Sequence, residues 1–326
     1  LCSAPTVAWS CGVFGWRQIR KTRFFAHRRM TQRVSGKSPK NGACVTQPTD
    51  SIETPAGAAA APMRCELNGR LASADDLRAL ALTNYGHFTV LHASDGGVRG
   101  LDLHLARLDA GTEALFGTSL NTDHVRAYLR GALAGWNGDA AVRITVFSRA
   151  FDRDRPSRDF MPDVLVTVTP PRRVDPSPAR LKTFHHERAL PAIKHVGTFA
   201  LFHHRRLAQL AGYDDALFVD TNGAICEASI WNIGFHDGTG VVWPVAPQLH
   251  GVSMQLIDCG LRARGIATTS RRVTRDDLAT FRSAFLTNCG CPVQTVAAID
   301  DVALAIDADF AATLAAAHAA NPLQPI

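Results

Sequence analysis

The chain has 326 residues, 46% of them hydrophobic and 20% charged, the composition of an ordinary globular protein. It carries no unbroken apolar run of the length, about eighteen residues, that a membrane-crossing helix needs. The net charge of +6 belongs to one end: residues 1–62 hold nine Lys and Arg against Asp50 and Glu53, leaving the remainder at −1 with no electrostatic reason to bind nucleic acid.

In chain order, residues 1–62 show no sustained period of 2 or 3.6 and end in Thr54-Pro55-Ala56-Gly57 and an alanine run, a linker composition. They read as a disordered tail or upstream extension; an Arg-rich targeting peptide around Trp16 to Met30, or a nucleic-acid arm, are the alternatives. Residues 64–70 look like a first strand running into a turn, and residues 88–92, 142–147 and 164–169 are strand-like. Leu101, Leu105, Leu108 and Leu115 have helical spacing, which predicts a helix over 101–115. The proline-rich run from Pro170 to Pro178 marks a boundary, dividing the body into a small N-terminal lobe, 63–175, and a larger C-terminal lobe, 176–326.

Beyond the boundary, 198–210 reads as an amphipathic helix ending at Gly212. Residues 216–220 and 224–229 form a hairpin about Asn222-Gly223, and a second hairpin turns near 236–240. A helix over 253–264 is expected to be capped by Ser253 and stopped by Gly265. A strand at 266–273, a short helix from Thr274 and a strand at 284–287 follow. The pattern is α+β, in two unequal lobes. Eight cysteines are spread without a CxxC, and the adjacent pairs His185-His186 and His203-His204 point to different faces, so neither a disulfide framework nor a metal site is expected. Reduced thiols point to the cytoplasm.

Only five of the 35 basic residues are lysines, and only Lys182 and Lys194 lie beyond the tail. A lysine kept where arginine supplies charge elsewhere points to an amine that must lose its proton and attack a carbonyl. Lys182 lies in a strand-like stretch and reads as a surface charge, whereas Lys194 lies in an irregular segment ahead of a helix. Glutamate is scarce too, and Glu227 sits in an apolar strand, where a carboxylate needs a cation or donors.

These residues carry a resemblance. Lys194, then Gly223 to Phe235 with Glu227 thirty-three residues after the lysine, then Leu249-His250-Gly251-Val252-Ser253, resemble the class IV aminotransferases in order and spacing. Upstream, His104-Leu105-Ala106-Arg107-Leu108 resembles that family's His-x-x-Arg-Leu helix; downstream, Phe285 to Val293 resembles its last phosphate-side loop, in the form found in aminodeoxychorismate lyase. The resemblance implies a two-lobed fold-type IV enzyme, with a small N-terminal α/β lobe and a larger, mixed β-barrel-like C-terminal lobe that holds pyridoxal phosphate. It implies Lys194 as the Schiff-base lysine and proton carrier, and Glu227 at the pyridine nitrogen. Arg107, Val252, Ser253 and Asn288 are the implied contacts on the phosphate side, and Asn232 reads as a strand-fixing side chain. Arg143 sits where relatives place an arginine near substrate, and Arg153 and Arg155 lie in another stretch suited to a carboxylate.

Several positions depart from the family pattern. Phe199 stands where the branched-chain enzymes have tyrosine, Met254 replaces an arginine, and Cys289 replaces the loop threonine. The implied activity is transamination between a small amino acid and a 2-oxo acid. A lyase forming 4-aminobenzoate and pyruvate, and a cofactor-binding relative without activity, are the alternatives. The resemblance also implies a homodimer, with no membrane or nucleic-acid partner.

Overall fold

The computed structural model describes residues 63–326, so the readings of the basic tail fall outside the described residues. The first two fifths of that stretch build one sheet with helices on it: β1 (Arg64–Leu67), β2 (Arg70–Leu71), α1 (Ala74–Thr83), β3 (Gly86–Ser94), β4 (Gly97–Arg99), α2 (Leu101–Phe116), α3 (Thr122–Leu133), β5 (Ala140–Phe147) and β6 (Asp163–Thr169). Asn68 and Gly69, both at positive φ, make the tight turn between β1 and β2. Of the expected apolar stripe of α2, Leu101, Leu105 and Leu108 are buried against Leu91, Val142, Ile144 and Val166; at its end Phe116 is buried, while Leu115 is only partly buried.

The chain changes sheet across the proline-rich segment. The second sheet and its helices comprise β7 (Ala179–His185), α4 (Phe199–Leu210), β8 (Asp215–Val219), β9 (Ile225–Ala228), β10 (Asn232–His236), β11 (Gly240–Pro244), α5 (Val252–Ala263), β12 (Ala267–Arg271), β13 (Ser283–Asn288), β14 (Cys291–Ile299), β15 (Val302–Ala303) and α6 (Ala308–Ala319). Strands β8 to β11 are buried along their whole length, as mixed sheets covered on both faces require. A last strand, β16 (Leu323–Pro325), pairs with β4, so the C-terminal end of the predicted 176–326 lobe returns to the first sheet. The order is β16-β4-β3-β5-β6-β1-β2 in the first sheet and β12-β11-β10-β13-β14-β7-β8-β9 in the second, with β15 on β14.

Three expectations are refined. The helix expected from Ser253 begins one residue earlier: Gly251 occupies its cap position and no side chain caps it, which leaves the Ser253 hydroxyl for another partner. Helix α4 forms where its spacing predicts, yet it buries Leu201 and Ala208 while Phe199, Phe202 and Leu210 stay exposed. The short helix from Thr274 is a 3-10 turn, closed by a reciprocal Thr274–Asp277 capping box.

Candidate active site

The segment that carries Lys194 crosses between the sheets. The Phe88 N–H on β3 donates to the Lys194 carbonyl at 2.9 Å, and the Val196 N–H donates to the Gly86 carbonyl at 3.0 Å. Two backbone bonds therefore fix the lysine at the edge of β3. Its Nζ lies 5.1 Å from the centre of the Phe88 ring, and the Arg143 guanidinium lies 3.5 Å from the same centre. Burial lowers the Lys194 pKa to about 8; the cations Arg107 and Arg188 push the same way, against Cys289 and Glu227. All four groups thus act electrostatically on one amine.

Glu227 is buried in β9, and the cation that its setting demanded is Arg188, whose Nε donates to Oε1 at 2.7 Å. The sequence reading missed Arg188. Its signal was indirect, the requirement of a buried carboxylate for a partner, and arginines are too common here for composition to single one out. The other carboxylate oxygen accepts the Leu249 N–H at 3.4 Å, which ties β9 to the segment leading into α5.

Asn232, read from the sequence as a strand-fixing side chain, holds that same segment. Its Nδ2 donates to the Leu249 carbonyl at 2.7 Å and to Gln248 Oε1 at 3.1 Å. Its Oδ1 leaves no room for a side chain at Gly251, where an added Cβ would collide with it. The N-terminus of α5 is thereby locked in place, with Val252 and Ser253 in the first turn. At Gly100, the left-handed cap of α2, a Cβ would come within 3.0 Å of Val252, so the starts of α2 and α5 touch.

Arg107 projects from α2. Burial lowers its pKa, and no carboxylate pairs with it among the described residues. One guanidinium nitrogen donates to the Thr89 hydroxyl, while the buried Nε has no partner among the described residues. The buried Ser253 hydroxyl is likewise unpartnered. An unpaired buried guanidinium, a free hydroxyl and a helix N-terminus are what a phosphate ester needs, so the residues present fit the phosphate end of the expected cofactor. A cavity of about 310 Å³ opens at the start of α5, lined among others by Val252, Ser253, His104, Cys289 and Pro292.

Asn288 is placed differently from its neighbours in the predicted set. Its Oδ1 accepts the Gly290 and Cys291 N–H groups, both at 2.9 Å, and its Nδ2 donates to the Ile230 carbonyl at 3.4 Å. The amide oxygen thus shapes the β13–β14 hairpin, and the amide nitrogen ties it to the segment between β9 and β10. Arg143 bonds Thr145 Oγ1 at 3.1 Å, and burial lowers its pKa with no acid beside it. Phe199 is 80% exposed and stacks on His203, so that ring does not close over Lys194. Lys182 pairs with Asp300 at 3.3 Å. Arg153 and Arg155 are exposed. Among the described residues no group of three His, Cys, Asp or Glu is placed to hold a metal, and no helix is long and apolar enough to cross a membrane.

The sequence pattern of the family described as amino-transferase class IV matches residues 86–299. A probable branched-chain-amino-acid aminotransferase of Rickettsia felis is 30% identical over 97 residues, which are 29% of this chain and 33% of the relative. The chain therefore spans about a third of the length of the curated relatives it matches. A hypothetical aminotransferase from Mycobacterium tuberculosis, in its PLP-bound form, superposes with a TM-score of 0.67 at 19% identity, covering 80% of this chain and 98% of that one. A putative 4-amino-4-deoxychorismate lyase from Legionella pneumophila superposes with a TM-score of 0.63 at 16% identity, covering 72% and 91%. These two likenesses show that the fold is shared.

Proposed function

The chain belongs to the class IV aminotransferase family, and on that premise we propose that it is a pyridoxal-phosphate-dependent transaminase acting on an amino acid and a 2-oxo acid. The observation that supports this most is the convergence of a buried amine, Lys194, with an ion-paired Glu227, an unpaired Arg107 and the N-terminus of α5. When bound, pyridoxal phosphate supplies an electrophilic carbonyl and a ring that takes up electrons from the substrate α-carbon.

The chain's own residues do the rest. Lys194 Nζ, with its pKa near 8, presents a neutral amine at moderately alkaline pH; it would hold the cofactor through its carbonyl carbon, with the carbonyl oxygen leaving as water, and would carry the proton at the substrate α-carbon. Glu227 supplies the negative charge that a protonated ring nitrogen requires, and Arg188 keeps that charge compensated and oriented. Arg107, the Ser253 hydroxyl and the first N–H groups of α5 hold the phosphate. Arg143, beside the same phenyl ring as Lys194 and without a carboxylate partner, takes the carboxylate of the substrate. The exposed Phe202 and Leu210 on α4, together with the family resemblance, support a homodimer.

The test is a half-reaction. With pyridoxal phosphate bound, an amino acid from a D- and L-panel should convert the cofactor to its amine form, and a 2-oxo acid should restore it. Arg143→Leu should raise KM for the amino acid with a smaller change in kcat. The β13–β14 hairpin favours a second reading, the lyase: aminodeoxychorismate would then yield pyruvate and 4-aminobenzoate, with no half-reaction on amino acids. Cofactor bound with neither reaction would refute both.

A further inference from the structure

We propose that His104 is a positioning residue that sets the Arg107 guanidinium for the cofactor phosphate, acting through the hydroxyl of Thr89. The inference rests on the phosphate role given to Arg107 above. His104 and Arg107 lie three residues apart on one face of α2, and Thr89 faces them from β3. All three meet: an Arg107 Nη2 hydrogen goes to the Thr89 hydroxyl, Thr89 Oγ1 lies 2.7 Å from His104 Nδ1, and Nη2 itself lies 3.4 Å from that nitrogen.

Donor chemistry fixes the direction of these bonds. A guanidinium only donates, so Thr89 Oγ1 accepts from it, and the hydroxyl proton is free for His104. With Thr89 and Arg107 both donating toward Nδ1, that nitrogen is the unprotonated one, and the ring proton sits on Nε2. Nε2 faces the Cys289 sulfur at 3.8 Å on the β13–β14 hairpin. The neutral ring is thus an acceptor on one side and a donor on the other, joining Cys289, His104, Thr89 and Arg107 in one chain. His104 is 2% exposed and Thr89 fully buried, so the loss of one member leaves its partner's hydrogen-bonding group unsatisfied inside the protein. The guanidinium is held by Nη2, while Nε stays unpartnered for an incoming oxygen.

A packing role for His104 and a role through the phosphate make different predictions for two aldehydes, pyridoxal phosphate and pyridoxal, which differ only in the phosphate. Dissociation constants of both are measured by absorbance titration for Thr89→Val, Thr89→Ser, His104→Leu, His104→Asn and Arg107→Gln, with thermal midpoints alongside. The expected result is that Thr89→Val and His104→Leu weaken pyridoxal phosphate about tenfold and leave pyridoxal within about twofold, as Arg107→Gln does. Thr89→Ser, and His104→Asn, which keeps an acceptor near the Nδ1 position, restore most of the loss. The double variant Thr89→Val/His104→Leu loses no more than either single one, because both cut the same chain. Equal weakening of both aldehydes, or unchanged pyridoxal phosphate affinity in Thr89→Val, overturns the proposal. Should His104→Leu fail to fold, Thr89→Val, which keeps the side-chain shape, decides alone. If Arg107→Gln does not distinguish the two aldehydes, the phosphate role of Arg107 falls first, and this inference falls with it.

Discussion

Arg188 Nε and Glu227 Oε1 lie 2.7 Å apart, each side chain only 4% exposed, in a pair that joins the segment before Lys194 to strand β9. Two charges removed from water are tolerable only together, so the loss of one leaves the other uncompensated. Glu227→Gln should cost about 3–5 kcal/mol of stability by that mechanism. Replacing both, as Arg188→Leu/Glu227→Gln, should recover most of it. Urea denaturation of the wild type and the two variants checks this; a double variant as unstable as the single one would show that the pair is not the cause.

Lys194 makes a prediction with a sign. Its folded pKa, near 8, lies below the ordinary lysine value of 10.5, chiefly through burial. The unfolded chain therefore binds the proton more tightly, and the stability of the cofactor-free protein rises with pH between about 8 and 10.5. Below that window the buried ammonium costs at most about 3 kcal/mol. Lys194→Met should be the more stable protein at pH 7, with the difference shrinking toward pH 10. The rate of cofactor capture by the wild type should level off above pH about 8; a rate still climbing steeply at pH 10 would contradict the placement of this amine.

Gly251 and Asn232 form a coupled pair. Gly251→Ala forces Asn232 Oδ1 aside and with it the bond from Nδ2 to Leu249, which holds the entry to α5. The expected outcome is about tenfold weaker pyridoxal phosphate binding, the loss of one charge-assisted contact. Asn232→Ala should produce a similar loss, and Gly251→Ala should add little to it once the obstructing oxygen is gone. Strict additivity in titrations of the two single variants and the double one would argue against the clash.

Acid should destabilise the first sheet through His87, which burial holds near pKa 4 beside Thr112, its ring so close to Gly111 that a Cβ there would come within 2.7 Å. A base with a depressed folded pKa contributes no penalty above its free value of 6.5 and a growing one below it. Between pH 6.5 and 5 this residue should cost about 2 kcal/mol of stability, read as falling thermal midpoints. His87→Gln should flatten part of that slope.

How much of this was legible in the chain depended on the kind of signal. Strands β3, β5 and β6 and helix α2 were readable because their apolar spacing matches the faces they bury. Helix α6 was not: its run of alanines is apolar on every side and has no periodic stripe. Lys194 and Glu227 stood out because lysine and glutamate are scarce, whereas Arg188 was hidden among many arginines until the geometry of Glu227 required it. Ser253 has the type of an N-cap, but the cap position falls to Gly251, and only coordinates distinguish a capping hydroxyl from an unpartnered one. Asn288 is marked by its motif, and only the structure shows its amide oxygen accepting two N–H groups of the β13–β14 turn.

The central claim is that Lys194 binds pyridoxal phosphate, and the most direct measurement is the visible absorbance spectrum of the purified protein with the cofactor added, beside Lys194→Ala. The account predicts a band in the wild type that survives gel filtration, bleaches with an amino acid, and is missing in Lys194→Ala. A band of equal strength in both proteins, or in neither, would contradict it.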